Sequence, residues 1–80
     1  MEYLKYFFMN EKKVNQFICH QLVKAREENS LTQKKVEQYG IIKQSNLSKI
    51  ENGAKNISAA KLFVLATFYK KPIEYFFKNE

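Results

Sequence analysis

The sequence is poor in the residues on which disulfide-bonded and metal-bound small domains depend. Its 80 residues include one cysteine, one histidine, two glycines and one proline. One cysteine cannot form an internal disulfide, and with one histidine it cannot complete the ligand set of a structural zinc site. Scarce glycine and proline argue against long loops and disorder, and favour helices. We therefore expect a metal-free, helical protein of the reducing cytoplasm.

Long hydrophobic runs are also missing. No apolar stretch approaches the roughly 20 residues that span a bilayer, so no membrane partner is expected. The aromatic start, Met1 to Met9, contains Glu2 and Lys5 and has no cleavage site of small residues, which argues against a secretory signal. Its apolar spacing fits a helix and a strand equally, and both stay open.

The sequence lacks the marks of an enzyme as well. It contains no acid–base pair, no glycine-rich phosphate loop and no nucleophile with an orienting base. A chain this short forms one domain, residues 1–80, with little room for a walled pocket. We expect no catalysis, no cofactor and no small-molecule substrate.

Positive charge is what the chain has in excess. Fourteen Lys and Arg oppose eight Asp and Glu, which gives a net charge of +6. The excess peaks in residues 31–55, where the charged side chains are Lys34, Lys35, Lys43, Lys49 and Lys55 against Glu37 and Glu51. Such a field attracts polyanions, and nucleic acid is the obvious class of partner.

Apolar residues recur at helical spacing in five segments, and N-cap residues or helix breakers bound most of them. The predicted helices are, in order, about Asn10–Asn29, Thr32–Gly40, about Gln44–Glu51, one capped by Ser58 and one beginning at Pro72. The expected fold is all-α, with five helices and an extended aromatic N-terminal segment.

The second and third predicted helices, over about residues 32–52, have the pattern of a helix-turn-helix. Its inner positions are apolar: Val36, Ile42, Leu47 and Ile50. The outer positions of the second helix carry hydrogen-bonding side chains: Lys43, Gln44, Ser45, Asn46, Ser48 and Lys49. Two short helices with this polarity place the second helix in the major groove of DNA, so duplex DNA is the predicted partner.

These residues resemble the Cro and lambda-repressor type of helix-turn-helix proteins, the XRE family. The resemblance is carried by Leu31-Thr32-Gln33 and by the run Gln44–Gly53, and it extends from about Ile18 to Phe77. It implies a lambda-repressor-like DNA-binding domain, in keeping with the five predicted helices.

The resemblance also implies roles for individual residues. Gln44, Ser45 and Lys49 match the positions that read bases, and amide, hydroxyl and ammonium groups suit base edges. The implied contacts to the DNA backbone are Gln33, Lys43, Asn46, Asn52 and Lys55, of which Gln33 is also expected to brace the Gln44 amide. Arg26 and Glu51 match a largely buried ion pair that ties the first helix to the third.

Three departures from the family pattern fall around the turn. Glu37 replaces a small Ala, and Gly40-Ile41 replaces the usual apolar residue and turn glycine, so the turn is expected to begin one residue early. Lys43 replaces the Ser or Thr that commonly caps the recognition helix. That change is expected to give up a cap worth about 1 kcal/mol and to add a cation facing DNA.

A single module that neutralises a few phosphates binds weakly and with steep salt dependence, so a homodimer is expected. The predicted interface comprises Ile73, Phe76 and Phe77. The leading hypothesis is a transcriptional repressor on a pseudo-palindromic operator, similar to phage repressors or restriction-modification controller proteins. The alternative is an antitoxin-like or anti-regulator interaction module whose DNA binding is secondary or lost.

Overall fold

A computed structural model describes residues 10–77, and these form helices joined by short connections, with no strand among them. The helices are α1 (Glu11–Glu28), α2 (Gln33–Gln38), α3 (Gln44–Glu51) and α4 (Ala59–Phe68), followed by a 3-10 turn (Ile73–Phe76). The aromatic segment, residues 1–9, with its choice between helix and strand, lies outside the described residues.

Side-chain caps begin three of the four α-helices. The carbonyl oxygen of the Asn10 side chain accepts from the Lys13 amide at 2.9 Å, and the hydroxyls of Thr32 and Ser58 accept from amides three residues on, at 3.0 and 3.1 Å. Each bond satisfies an amide that the first helical turn leaves without a partner. The predicted caps Thr32 and Ser58 are therefore confirmed.

Left-handed residues end all four α-helices: Ser30, Gly40, Gly53 and Lys70, with φ between 55° and 83°. In each case the amides of this residue and the next bond back to carbonyls of the last helical turn. These bonds satisfy helix-terminal carbonyls and reverse the chain within a few residues. Because each of these helices ends at a left-handed residue, the connections between them are short.

The fifth predicted helix is a single 3-10 turn, so the count of five α-helices is not confirmed. Pro72 has φ −67° and ψ 152°, and the bonds that follow join residues three apart: Tyr75 to Pro72 and Phe77 to Glu74, both at 3.0 Å. Phe76 is fully buried, and the side chain of Gln21 in α1 donates to the Tyr75 carbonyl at 3.0 Å. The burial of Phe76 and the bond from Gln21 hold this turn against α1.

One hydrophobic core joins all the elements. Its buried members are Ile18, Leu22, Ala25, Val36, Leu47, Ile50, Leu62, Leu65, Ala66, Tyr69 and Phe76. Every helix contributes buried apolar side chains, although Ile42, one of the predicted inner positions of the helix-turn-helix, is only partly buried. The core thus fixes α2 and α3 against α1 and leaves the outer side of α3 exposed. None of the helices in the described range could cross a membrane.

Candidate nucleic-acid interface

Helix α3 has a buried side and a polar side. Leu47 and Ile50 are buried, whereas Gln44, Ser45 and Lys49 are exposed. Ser45 and Lys49 are four residues apart and Gln44 is adjacent to Ser45, so the three side chains leave the helix on neighbouring faces. Apolar packing on one side therefore presents a donor and acceptor surface on the other.

The turn between α2 and α3 is built on Gly40. Its φ of 79° suits glycine, its amide donates to the Glu37 carbonyl at 2.8 Å, and the Ile41 amide donates to the Val36 carbonyl at 3.4 Å. Helix α2 ends at Gln38, and a turn that begins early relative to the family pattern stays a prediction. The ammonium of Lys61 in α4 donates to the Ile41 carbonyl at 2.8 Å and holds the turn against the domain.

The start of α3 is capped by a residue that sequence reasoning missed. Lys43 occupies the N-cap position without a capping side-chain bond. Instead, Oε2 of Glu37 accepts from the Gln44 amide at 2.8 Å. The expected loss of a side-chain cap at Lys43 is therefore confirmed, while Glu37 supplies a different capping bond, to the Gln44 amide, from across the turn. The signal in the sequence was Glu37, an acidic residue seven positions before Gln44, where the family usually has a small residue.

Arg26 and Glu51 form a two-pronged ion pair between α1 and α3. Nε of Arg26 lies 2.9 Å from Oε2 of Glu51, and Nη2 lies 3.1 Å from Oε1. Nη1 of Arg26 donates to the Leu31 carbonyl at 2.8 Å. The side chains are only 13% and 5% exposed, respectively. The hydrogen bonds that Arg26 donates to Glu51 raise the pKa of Arg26, in keeping with a tightly held charge.

Gln33 joins this network. Its side-chain nitrogen donates to Oε1 of Glu51 at 2.8 Å. The side-chain nitrogen of Gln33 is thus taken by Glu51, and no hydrogen bond joins Gln33 to Gln44 within residues 10–77, so the expected bracing of the Gln44 amide stays a prediction. The bond to Glu51 is a link between the first turn of α2 and the last turn of α3.

Tyr69 reports the low polarity around the ion pair. Its hydroxyl is buried and has no hydrogen-bond partner within residues 10–77. Burial raises the pKa of Tyr69 far above its ordinary value, and the nearby charge of Glu51 adds to that rise. A pair in such surroundings is poorly screened by water, so losing one member would leave a costly unpaired charge.

The candidate phosphate contacts flank α3. Nζ of Lys55 donates to the Asn46 side chain at 3.3 Å, and both residues line an open groove with Lys43 and Lys61. The Asn52 side chain accepts from the Ala54 amide at 3.0 Å and orders the loop after α3. Lys61 is a further cation of this groove that sequence reasoning did not identify.

The predicted dimer residues separate into two classes. Ile73 and Phe77 are 39% and 41% exposed, whereas Phe76 has no accessible surface. Assigning Phe76 to the interface is therefore wrong, because its ring fills the core and cannot touch a second copy. Helix α4 presents two further apolar side chains, Phe63 at 62% and Val64 at 42% exposure.

Comparison with known proteins agrees with this geometry. A family model described as helix-turn-helix matches residues 22–76, from within α1 to the end of the 3-10 turn. No curated protein and no solved structure gives a significant match. The matched family binds DNA and is not typically enzymatic. The chain therefore belongs to the Cro and lambda-repressor type of helix-turn-helix proteins, a family of DNA-binding regulators.

Proposed function

We propose that this regulator is a sequence-specific repressor that binds a pseudo-palindromic operator as a homodimer. The observation that carries the proposal is the exposed set Gln44, Ser45 and Lys49 on a helix whose other side is anchored in the core. A glutamine amide can pair in two-pronged fashion with adenine, a lysine ammonium with guanine, and a serine hydroxyl with either.

The surrounding groups fit contacts to the DNA backbone, which orient the protein without reading sequence. Lys43 and Lys55 lie in the groove beside α3, and Asn46 is held to Lys55 by a hydrogen bond. Asn52 follows directly after the recognition helix. In the proposed complex these residues bind phosphates on both sides of the bases that α3 reads. Gln33, whose side-chain amide also holds Glu51, is a further candidate at the first turn of α2.

Dimerisation supplies the affinity that one small module lacks, because two copies contact more phosphates than one, and the affinity for DNA rises with the number of phosphates neutralised. In the proposed dimer the half-sites lie about 10 bp apart, so both recognition helices meet one face of the duplex. Occupying such a site is sufficient for repression by steric exclusion. The protein would act in the cytoplasm, as phage repressors and restriction-modification controller proteins do.

Exposed apolar residues at the 3-10 turn are the proposed dimer contact. Replacing Ile73 and Phe77 with Ser should weaken the homodimer by about one to two orders of magnitude, since a two-fold interface loses each apolar contact twice. Light scattering after size exclusion, over a range of protein concentrations, measures this change. Phe63→Ser on α4 is the matched control and should leave the dimer intact. If Phe63→Ser alone dissociated the dimer, the interface would instead be assigned to α4.

A second candidate function is an antitoxin-like or anti-regulator interaction module. The observation that favours it is the outer face of α4, where Phe63 and Val64 stay exposed although the helix already buries Leu62, Leu65 and Ala66. In this candidate function, that apolar surface would be the contact with another protein. A chain that stays monomeric alone and assembles only with another protein would support this module, whereas a homodimer that binds DNA supports the repressor.

A further inference from the structure

We infer that Glu37 sets the start of the recognition helix and lowers the affinity for DNA of any sequence, so that stable binding depends on base contacts. The inference rests on the proposed reading of bases by α3. Glu37 is a positioning and specificity residue in this scheme, and it acts through the backbone of Gln44 and through its own charge.

The Glu37 carboxylate caps the start of α3 from across the turn. Glu37 lies near the end of α2, and its carboxylate reaches across the turn to the Gln44 amide at 2.8 Å. Gln44 is the first residue of α3, and the preceding Lys43 makes no capping bond with its side chain. The bond therefore ties the end of one helix to the beginning of the next. It fixes the position of the Gln44 backbone, and so the point from which the Gln44 side chain extends toward DNA.

The bond to Glu37 makes the Gln44 amide unavailable to a phosphate of DNA. Free amides at a helix N-terminus are ready-made binding positions for phosphate, and helix-turn-helix proteins meet DNA near such a terminus. Here the Gln44 amide is already occupied by a carboxylate. A phosphate approaching this position would meet a negative charge in place of a donor, which disfavours backbone contact there.

Glu37 forms no ion pair with another side chain of residues 10–77. Residues 31–55 contain two acidic side chains, Glu37 and Glu51. Glu51 is buried and paired with Arg26. The ion pairs found within residues 10–77 are that one and Lys71–Glu28, and neither involves Glu37. Glu37 is exposed, so its field acts on DNA docked at α3.

The consequence is that phosphate contacts alone hold the protein on DNA only weakly. Non-specific binding comes almost entirely from phosphate contacts, and a regulator must discriminate against a large excess of non-specific sequence. A negative charge beside the recognition helix weakens every complex. Base contacts by Gln44 and its neighbours offset that loss only at the operator.

The test measures binding of the full chain to two duplexes of equal length, by fluorescence anisotropy at several salt concentrations. One duplex carries a sequence enriched from random DNA by the wild-type protein, and the other is scrambled. Glu37→Gln keeps an oxygen acceptor for the Gln44 amide and removes the charge. Its affinity for the scrambled duplex should rise about two- to fivefold at low salt, and its salt dependence should steepen by up to about 0.9 per protomer.

Glu37→Ala removes the acceptor as well as the charge. It should bind the scrambled duplex more tightly too, lose part of the ratio between the two duplexes that Glu37→Gln keeps, and melt at a lower temperature. The matched control is Glu27→Gln, which makes the same change in net charge at an exposed position of α1. It should leave both affinities close to those of the wild type.

Equal effects of Glu37→Gln and Glu27→Gln would overturn the inference, because net charge alone would then explain them. A changed preference at a single base position would overturn it too, since Glu37 would then be a base reader. Both results leave the proposed function standing. Failure of the wild-type protein to bind any duplex would instead overturn the proposed function, and this inference with it.

Discussion

Removing one member of the Arg26–Glu51 pair is expected to destabilise the domain by about 3–5 kcal/mol, because the remaining charge stays buried without its partner. The two side chains are 13% and 5% exposed, and Glu51 also accepts from Gln33. A domain of this size has only about 5–15 kcal/mol of stability. Arg26→Ala or Glu51→Ala should therefore leave a protein that is close to unfolding at ordinary temperature.

Replacing both partners should cost less than replacing either one. Arg26→Met with Glu51→Leu leaves no unpaired ion and keeps much of the packing volume. Urea denaturation followed by circular dichroism measures all three free energies of unfolding. The more exposed pair Lys71–Glu28, with its atoms 2.7 Å apart, is the matched control, and its removal should change stability much less. Additive losses from Arg26 and Glu51 would contradict the view of a desolvated pair.

Replacing Gln44 or Lys49 with Ala is expected to abolish discrimination at one base position, at a cost of about 1–3 kcal/mol for the preferred base. The reason is that each exposed side chain of α3 reads a different base edge in the proposed complex. Competition binding measures the effect, with the preferred site and variants of it that differ at single base pairs. At the other positions the ranking of bases should stay as in the wild type.

Lys55→Ala is the variant with which the Gln44 and Lys49 variants are to be compared. Lys55 lies beside α3 and bonds to Asn46, so in the proposed complex it contacts phosphate. Its loss should weaken binding to all sequences alike and lower the salt slope by about 1. If the Gln44 and Lys49 variants behaved as Lys55→Ala does, the assignment of base readers would be wrong.

The sequence predicts the four α-helices of residues 10–77 well because their determinants are local. The caps Thr32 and Ser58 lie at the residues where α2 and α4 begin, and Gly40 lies just beyond the end of α2. Capping bonds join residues three apart, and left-handed ends involve single residues. Such signals need no knowledge of the tertiary structure.

The features that sequence reasoning missed depend on contacts between elements. The bond from the Gln44 amide to Glu37 exists only once the turn at Gly40 has brought α2 and α3 together. The burial of Phe76 likewise depends on how the 3-10 turn packs against α1. Periodicity reveals that Phe76 is apolar, but packing decides whether it faces the core or a partner.

The most direct test of the account is selection of bound sequences from a pool of random duplex DNA by the wild-type protein. The account predicts enrichment of a pseudo-palindrome whose half-sites are centred about 10 bp apart. It also predicts that the same selection with Gln44→Ala loses information at one symmetric pair of positions. A pool that shows no enriched sequence, although the protein is folded, would contradict the account.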